Sequence, residues 1–149
     1  MKNSVKYFLS FIFCLSIFVN ADVPRSMYVL NGSAETVSKM VIETGEVQQN
    51  VALTGQVPNR LIIHQDMIYV LDSGTSDIKM INPMTDEVVR TIALKPGANP
   101  YDMAFVGQDK LYVSNWIANT ISIVDVQSGT ITGEIVTGKG PEDVLLVNN

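Results

Sequence analysis

One cysteine, one histidine and one tryptophan are all that 149 residues supply of three chemically useful side chains. With His64 as the lone imidazole, a Ser-His-Asp triad or a multi-histidine metal site has only one residue to be built around. The lone thiol, Cys14, falls in an apolar leader, so disulfides, thiolate-metal sites and a cysteine nucleophile are excluded from the rest of the chain. Basic residues are also scarce: 10 Lys and Arg stand against 15 Asp and Glu. That balance argues against a general nucleic-acid binder, which needs surplus cations to neutralise phosphates. No phosphate-binding Gly-rich loop, Cys-x-x-Cys-His, His-Glu-x-x-His or Gly-x-Ser-x-Gly occurs. No catalytic residue, cofactor or resident metal is therefore predicted.

The chain opens with Lys2 and Lys6, followed by an apolar run from Tyr7 to Val19 and then Val19-Asn20-Ala21. This layout reads as a secretory signal peptide over residues 1–21, cut before Asp22. The run is too short for a membrane anchor, since a spanning helix needs about 20 apolar residues. The expected mature chain, residues 22–149, carries eight basic and fifteen acidic side chains. It is expected in the periplasm or outside a bacterial cell, with no membrane span after cleavage. At 46% hydrophobic residues the chain can form a modest core.

The strongest signal is internal repetition. Met27-Tyr28-Val29-Leu30-Asn31, Ile68-Tyr69-Val70-Leu71-Asp72 and Leu111-Tyr112-Val113-Ser114-Asn115 are three copies of one phrase, 41 and 43 residues apart. Thr36, Asp77 and Thr120 follow each tyrosine at eight positions, and Gly45, Asp86 and Gly129 at seventeen. Pro58, Pro100 and Pro141 recur in step, each shortly after Gly55, Gly97 or Gly140. A period of 40 to 45 residues marks propeller blades or helical arrays. The alternation in Thr120 to Val126, rich in β-branched residues, selects strands.

The third repeat parses into strands Pro100 to Val106, Lys110 to Asn115, Thr120 to Val126 and Thr130 to Val136. The last two are joined by a hairpin with Gly129 at the position wanting positive φ. Asp86 holds that position in the middle repeat, a tolerated but costlier choice. Four antiparallel strands per repeat make one propeller blade. The fold is expected to be all-β, of about three blades, over residues 22–149.

Tyr112-Val-Ser-Asn115, Asn119-Thr-Ile-Ser-Ile-Val-Asp125, Ser128-Gly129 and Gly140-Pro141 together resemble the YVTN-type β-propeller repeat. The first repeat departs most: Lys39 replaces an apolar residue, and Val41 stands where Asn82 and Asp125 sit. The resemblance implies an exported propeller, usually of seven blades, and little about activity.

The first repeat begins at its second strand, and Pro141 to Val147 reads as an extra first strand, giving twelve strands. Closed propellers usually have four to eight blades. An open arc of three leaves two apolar sheet faces in water. Three covers are possible: the remaining blades of a longer, cut propeller, a second copy of the chain, or another protein. The mature chain is accordingly not expected to be a stable monomer.

Asn31, Asp72 and Asn115 end the second strands and are expected to accept backbone N–H groups in an Asx-type turn, a structural duty. This accounts for Asn31 without invoking its glycosylation sequon. His64 reads as a solvated or locally bonded strand residue. Residues after the prolines differ between blades: Asn59-Arg60, Tyr101-Asp102 and Glu142-Asp143. First strands run nearest the axis, so these residues, with Trp116, are the candidate ligand-binding set at a channel mouth. Their oxygens suit a divalent cation or a polar ligand, or else form an ordinary solvated rim. The leading functional expectation is an exported non-enzymatic binding or scaffold module. The alternatives are a fragment of a propeller enzyme, such as a lactonase-like hydrolase using a divalent metal, and a truncated product without function.

Overall fold

The computed structural model describes residues 24–147. The expected signal segment lies outside the described residues, and so does the cut before Asp22. Eleven strands follow one another: β1 (Ser26–Asn31), β2 (Thr36–Val41), β3 (Val47–Leu53), β4 (Pro58–His64), β5 (Met67–Asp72), β6 (Asp77–Asn82), β7 (Glu87–Ala93), β8 (Pro100–Val106), β9 (Lys110–Asn115), β10 (Thr120–Asp125) and β11 (Thr130–Val136). They form three separate antiparallel sheets in simple up-and-down order: β1-β2-β3, β4-β5-β6-β7 and β8-β9-β10-β11. Each sheet is one blade. No helix occurs among the described residues, so none is long and apolar enough to cross a membrane.

The hairpins form where the chain supplies residues that tolerate left-handed backbone. Gly45, Asp86 and Gly129 occupy the expected positions, with φ of 70°, 57° and 71°. Asp86 accepts this strained region without glycine's freedom, and its side chain has a use described below. Each third-to-fourth strand pair also carries a register shift, at Val37/Lys39, Met80/Ile81 and Ile123/Val124. Such a bulge strengthens the local right-handed twist, as a blade requires.

Alternation sorts each strand between two joints. One face of each blade turns towards its successor and the other towards its predecessor. Tyr69, Leu71, Ile78 and Ile92 of blade 2 meet Met103, Leu111, Val113 and Val124 of blade 3 in the larger core. Ile68, Val70 and Ile81, on the opposite face of blade 2, meet Val37 and Ala52 of blade 1 in a smaller one.

The arc does not close. Met27 and Val29 of blade 1 are 50% and 46% exposed, although their equivalents Ile68, Val70, Leu111 and Val113 are all at 0%. On blade 3, Ile135 is 46% exposed where its equivalent Ile92 is at 1%. The two bare faces expected from the repeat count are therefore present.

One strand expectation is corrected. Pro141 to Val147 forms no ladder. A first strand is held by the second strand of its own blade, as β4 is by β5 and β8 by β9. No tyrosine-phrase strand follows this segment among the described residues. It lies instead against blade 3, where the Val144 N–H donates to Asp102 Oδ2 at 3.1 Å and Ser114 Oγ donates to the Glu142 carbonyl.

Candidate functional site

The mouth is built by the residues just after Pro58 and Pro100, because β4 and β8 start there and pack side by side. The Asn59 amide donates to the Pro100 carbonyl at 3.2 Å, tying the two first strands together. The Arg60 guanidinium stands 2.9 Å from Asp102 Oδ1, without the alignment of a hydrogen bond. With Oδ1 facing Arg60 and Oδ2 accepting from Val144, Asp102 is committed to the framework, and it is only 5% exposed. Among the described residues no group of three His, Cys, Asp or Glu side chains is placed to hold a metal ion.

Four of the seven candidates do come together. Asn59, Tyr101, Trp116 and Glu142 line a depression of about 410 Å³, with Val57, Ser73 and Asn99 completing its walls. Tyr101 and Trp116 are 42% and 46% exposed, so both rings offer apolar faces to solvent beside polar groups. Trp116 also packs on Gly140: a Cβ added there meets the indole Nε1 at 2.9 Å, and Gly140 has φ of 60°. The packing duty and the wall duty thus coincide in one residue. Arg60 borders the set through its ion pair, whereas Asp143 is exposed and outside the lining.

His64 is held structurally. Its Nε2–H donates to the Gln108 carbonyl at 2.9 Å, and its ring stacks on Phe105 at 3.7 Å between centroids.

The strand-end residues act differently from expectation. The Asn31 amide donates to Thr36 Oγ1 at 3.1 Å and Ser38 Oγ at 2.7 Å; Asn115 donates to Thr120 Oγ1 and Ser122 Oγ at 3.1 and 2.8 Å. The side chain lies across the sheet towards the next strand, so it serves as a donor to hydroxyls and not as an acceptor in a turn. Thr36 and Thr120 then donate onward, to Asn50 Oδ1 at 2.7 Å and Glu134 Oε1 at 2.8 Å. Each ladder passes its hydrogen bonds from strand to strand, and in blade 3 the Asn115 Oδ1 acceptor is left without a partner.

Blade 2 replaces the neutral Asn-Thr-Ser column by Asp72, Asp77 and Lys79. Asp72 is fully buried, and neither of its oxygens has a partner at hydrogen-bond geometry. Burial first, then the neighbouring Asp77 carboxyl, pushes its pKa from 3.8 to about 7, against the opposing pull of the Gly55 amide and Lys79. Lys79 pairs with Asp77 at 3.1 Å. The Gly55 backbone passes so close that an added Cβ would lie 2.9 Å from Asp72 Cβ and Cγ. No local motif marks this column as a charged cluster; the sequence carries it only in the third-strand positions 36/77/120 and 38/79/122 set beside the second-strand ends.

Comparison with known proteins supports the fold. No family model matches the chain, and no curated protein matches it. Solved structures do. Virginiamycin B lyase from Staphylococcus aureus is 15% identical with a TM-score of 0.64, over 77% of this chain and 39% of its own. The dihydro-heme d1 dehydrogenase NirN is 14% identical with a TM-score of 0.70, over 81% of this chain and 27% of its own. Hydrazine synthase of Kuenenia stuttgartiensis is 18% identical with a TM-score of 0.67, over 87% and 41%. The chain spans less than half the length of each. Its class is that of a β-propeller-type repeat protein, with three blades in the described residues.

Proposed function

We propose that this chain is an exported, non-enzymatic propeller module of the YVTN-repeat type, which binds a small polar ligand or a polar protein segment at its mouth. The observation that carries the reading is the depression lined by Asn59, Tyr101, Trp116 and Glu142. Two half-exposed aromatic walls beside an amide and a carboxylate form the usual mixture of a binding site: apolar area for affinity and a few polar groups for orientation. These residues differ from blade to blade, as a recognition site requires. Placement in the periplasm or outside the cell belongs to the same proposal and rests on the leader in residues 1–21. The YVTN assignment rests on the phrases around Tyr28, Tyr69 and Tyr112.

Trp116 is the sole tryptophan, so its emission reports on the mouth directly. Titration with a panel of neutral oligosaccharides and of cationic peptides is expected to give a saturable change for at least one member. Tyr101→Ala and Glu142→Gln should each weaken that response at least tenfold. A flat response to the whole panel would remove the reading.

Propeller folds host enzymes as well, as virginiamycin B lyase illustrates. The enzymatic alternative, a metal-dependent hydrolase, needs acids from several blades on the axis. It is tested by calorimetry with Ca²⁺, Mg²⁺ and Mn²⁺.

A further inference from the structure

We infer that two copies of this chain join head to tail into one closed ring, each lending its Pro141–Val147 segment as the missing first strand of the other's blade 1. The inference stands apart from what the mouth binds.

Three observations lead to it. The first is an unpaired edge. Strands β5 and β9 are hydrogen-bonded on both sides, but among the described residues their equivalent β1 pairs only with β2. Its free N–H and C=O groups form a template for one more strand.

The second is a segment without a ladder that carries the matching phase. In blade 2, Leu61 lies opposite Val70 and Ile62 opposite Tyr69; in blade 3, Met103 lies opposite Val113 and Ala104 opposite Tyr112. Counting from the shared proline, Val144 falls opposite Val29 and Leu145 opposite Tyr28. Leu145 and Val147 are 84% and 67% exposed. The segment is already held where a following blade would begin, through Val144 to Asp102 and Ser114 to Glu142.

The third is complementarity of the bare faces. The leading face of blade 1, with Met27 and Val29, is the surface that blades 2 and 3 present to their predecessors. The trailing face of blade 3, with Ile121 and Ile135, is the surface that blades 1 and 2 present to their successors through Val37 and Ala52, and through Ile78 and Ile92. Both internal joints bury these positions. On blade 1 they instead border a hollow of about 500 Å³ beside Val29, Asn31, Ser38 and Val47.

One copy cannot bring its own two faces together, because three blades would each have to fill a wedge of about 120°. Two copies supply six four-stranded blades, inside the range in which such rings close. The contact is heterologous, and it closes because the second joint repeats the first.

The test uses the purified chain in a Cys14→Ser background. Light scattering is expected to give twice the chain mass. The double variant Val29→Cys with Val144→Cys should form, on mild oxidation, a disulfide-linked species of twice the chain mass that reverts on reduction. Leu145→Asp changes a side chain already exposed in the single chain, so it should yield a monomer that keeps its β circular dichroism. A monomeric wild type, a cross-link within one chain, a ladder of higher multimers, or a Leu145→Asp variant that still dimerises would each overturn the inference. So would a wild-type chain that shows no β structure on its own, the outcome expected if only further blades of a longer protein cover the faces.

Discussion

The two joints between blades do the same packing job with different chemistry. The joint between blades 2 and 3 encloses ten buried apolar residues, from Tyr69 and Leu71 to Val124 and Val126. Beside the Asn59, Arg60 and His64 links already described, it carries a clamp: Arg90 donates to the carbonyls of Val126 and Gln127 at 2.7 Å and of Ser128 at 3.1 Å, gripping the β10–β11 hairpin. The joint between blades 1 and 2 encloses only five, around Val37, Ile68 and Val70. Where the larger joint has Met80 and Gly129, the smaller has Lys39 and Asp86. The Lys39 ammonium lies 3.1 Å from Asp86 Oδ2, 3.2 Å from the Pro83 carbonyl and 5.5 Å from the centre of the Tyr28 ring. Tyr28 in turn donates to Asp86 at 3.0 Å. Burial lowers the Lys39 pKa, but the bonds to Asp86 and Tyr28 outweigh it and leave the group above its ordinary value. The comparison teaches that one blade template accepts either an oily seam or a charged one, provided every partly buried charge has a partner.

The largest expected contrast comes from truncating the two cores. Ile78→Ala, in the larger joint, should cost about 3–4 kcal/mol, and Val37→Ala, in the smaller, about 2 kcal/mol by the cavity rule. Urea titration reads both, and equal losses would break the distinction. Next is the charged seam. Lys39→Met alone copies the blade 2 residue but strands Asp86, and should cost about 2 kcal/mol. Adding Asp86→Gly, the residue of the sister hairpins, should recover most of that loss, which a double-mutant cycle measures.

A smaller effect follows from Asp72. Its folded pKa, about 7, lies above the ordinary 3.8, so the unfolded chain gives up this proton first. The unfolded state then binds fewer protons between those values, and stability falls as pH rises from about 4 to about 7, levelling off above. Asp72→Asn restores the residue of the sister blades and donates to Asp77. It should gain about 1–2 kcal/mol at pH 7.5 and nearly nothing at pH 4, the scale of an unsatisfied buried polar group relieved. A pH-independent gain would contradict the burial argument. The smallest effect is Arg90→Gln, which removes the clamp on three carbonyls and should cost about 1 kcal/mol in the same urea titration.

Much of the fold was legible in the sequence because strands announce themselves locally. The Thr120–Asp125 alternation, the glycine or aspartate of each third hairpin and the prolines opening β4 and β8 all act over a few residues. The Pro141–Val147 segment carried the same local signals and still made no ladder, because a ladder needs a second strand that local pattern does not supply. At the mouth, the sequence pointed to seven residues, and the structure gathers Asn59, Tyr101, Trp116 and Glu142. It assigns Asp102 to Arg60 and the backbone of Val144, and leaves Asp143 outside. Which carboxylate is spent depends on a guanidinium forty-two positions away, beyond the reach of any local rule.

By itself, then, the sequence determined the period, the eleven strands that pair within the three described blades and the faces of those strands, since backbone pairing and alternate burial are written every second residue. Only the tertiary structure decided how polar groups pair across a joint, Lys39 with Asp86 and Tyr28 with the same carboxylate, and left buried Asp72 inside blade 2 short of hydrogen-bond geometry. Those pairings depend on how two sheets are set against each other, and on which charges lose water when they meet.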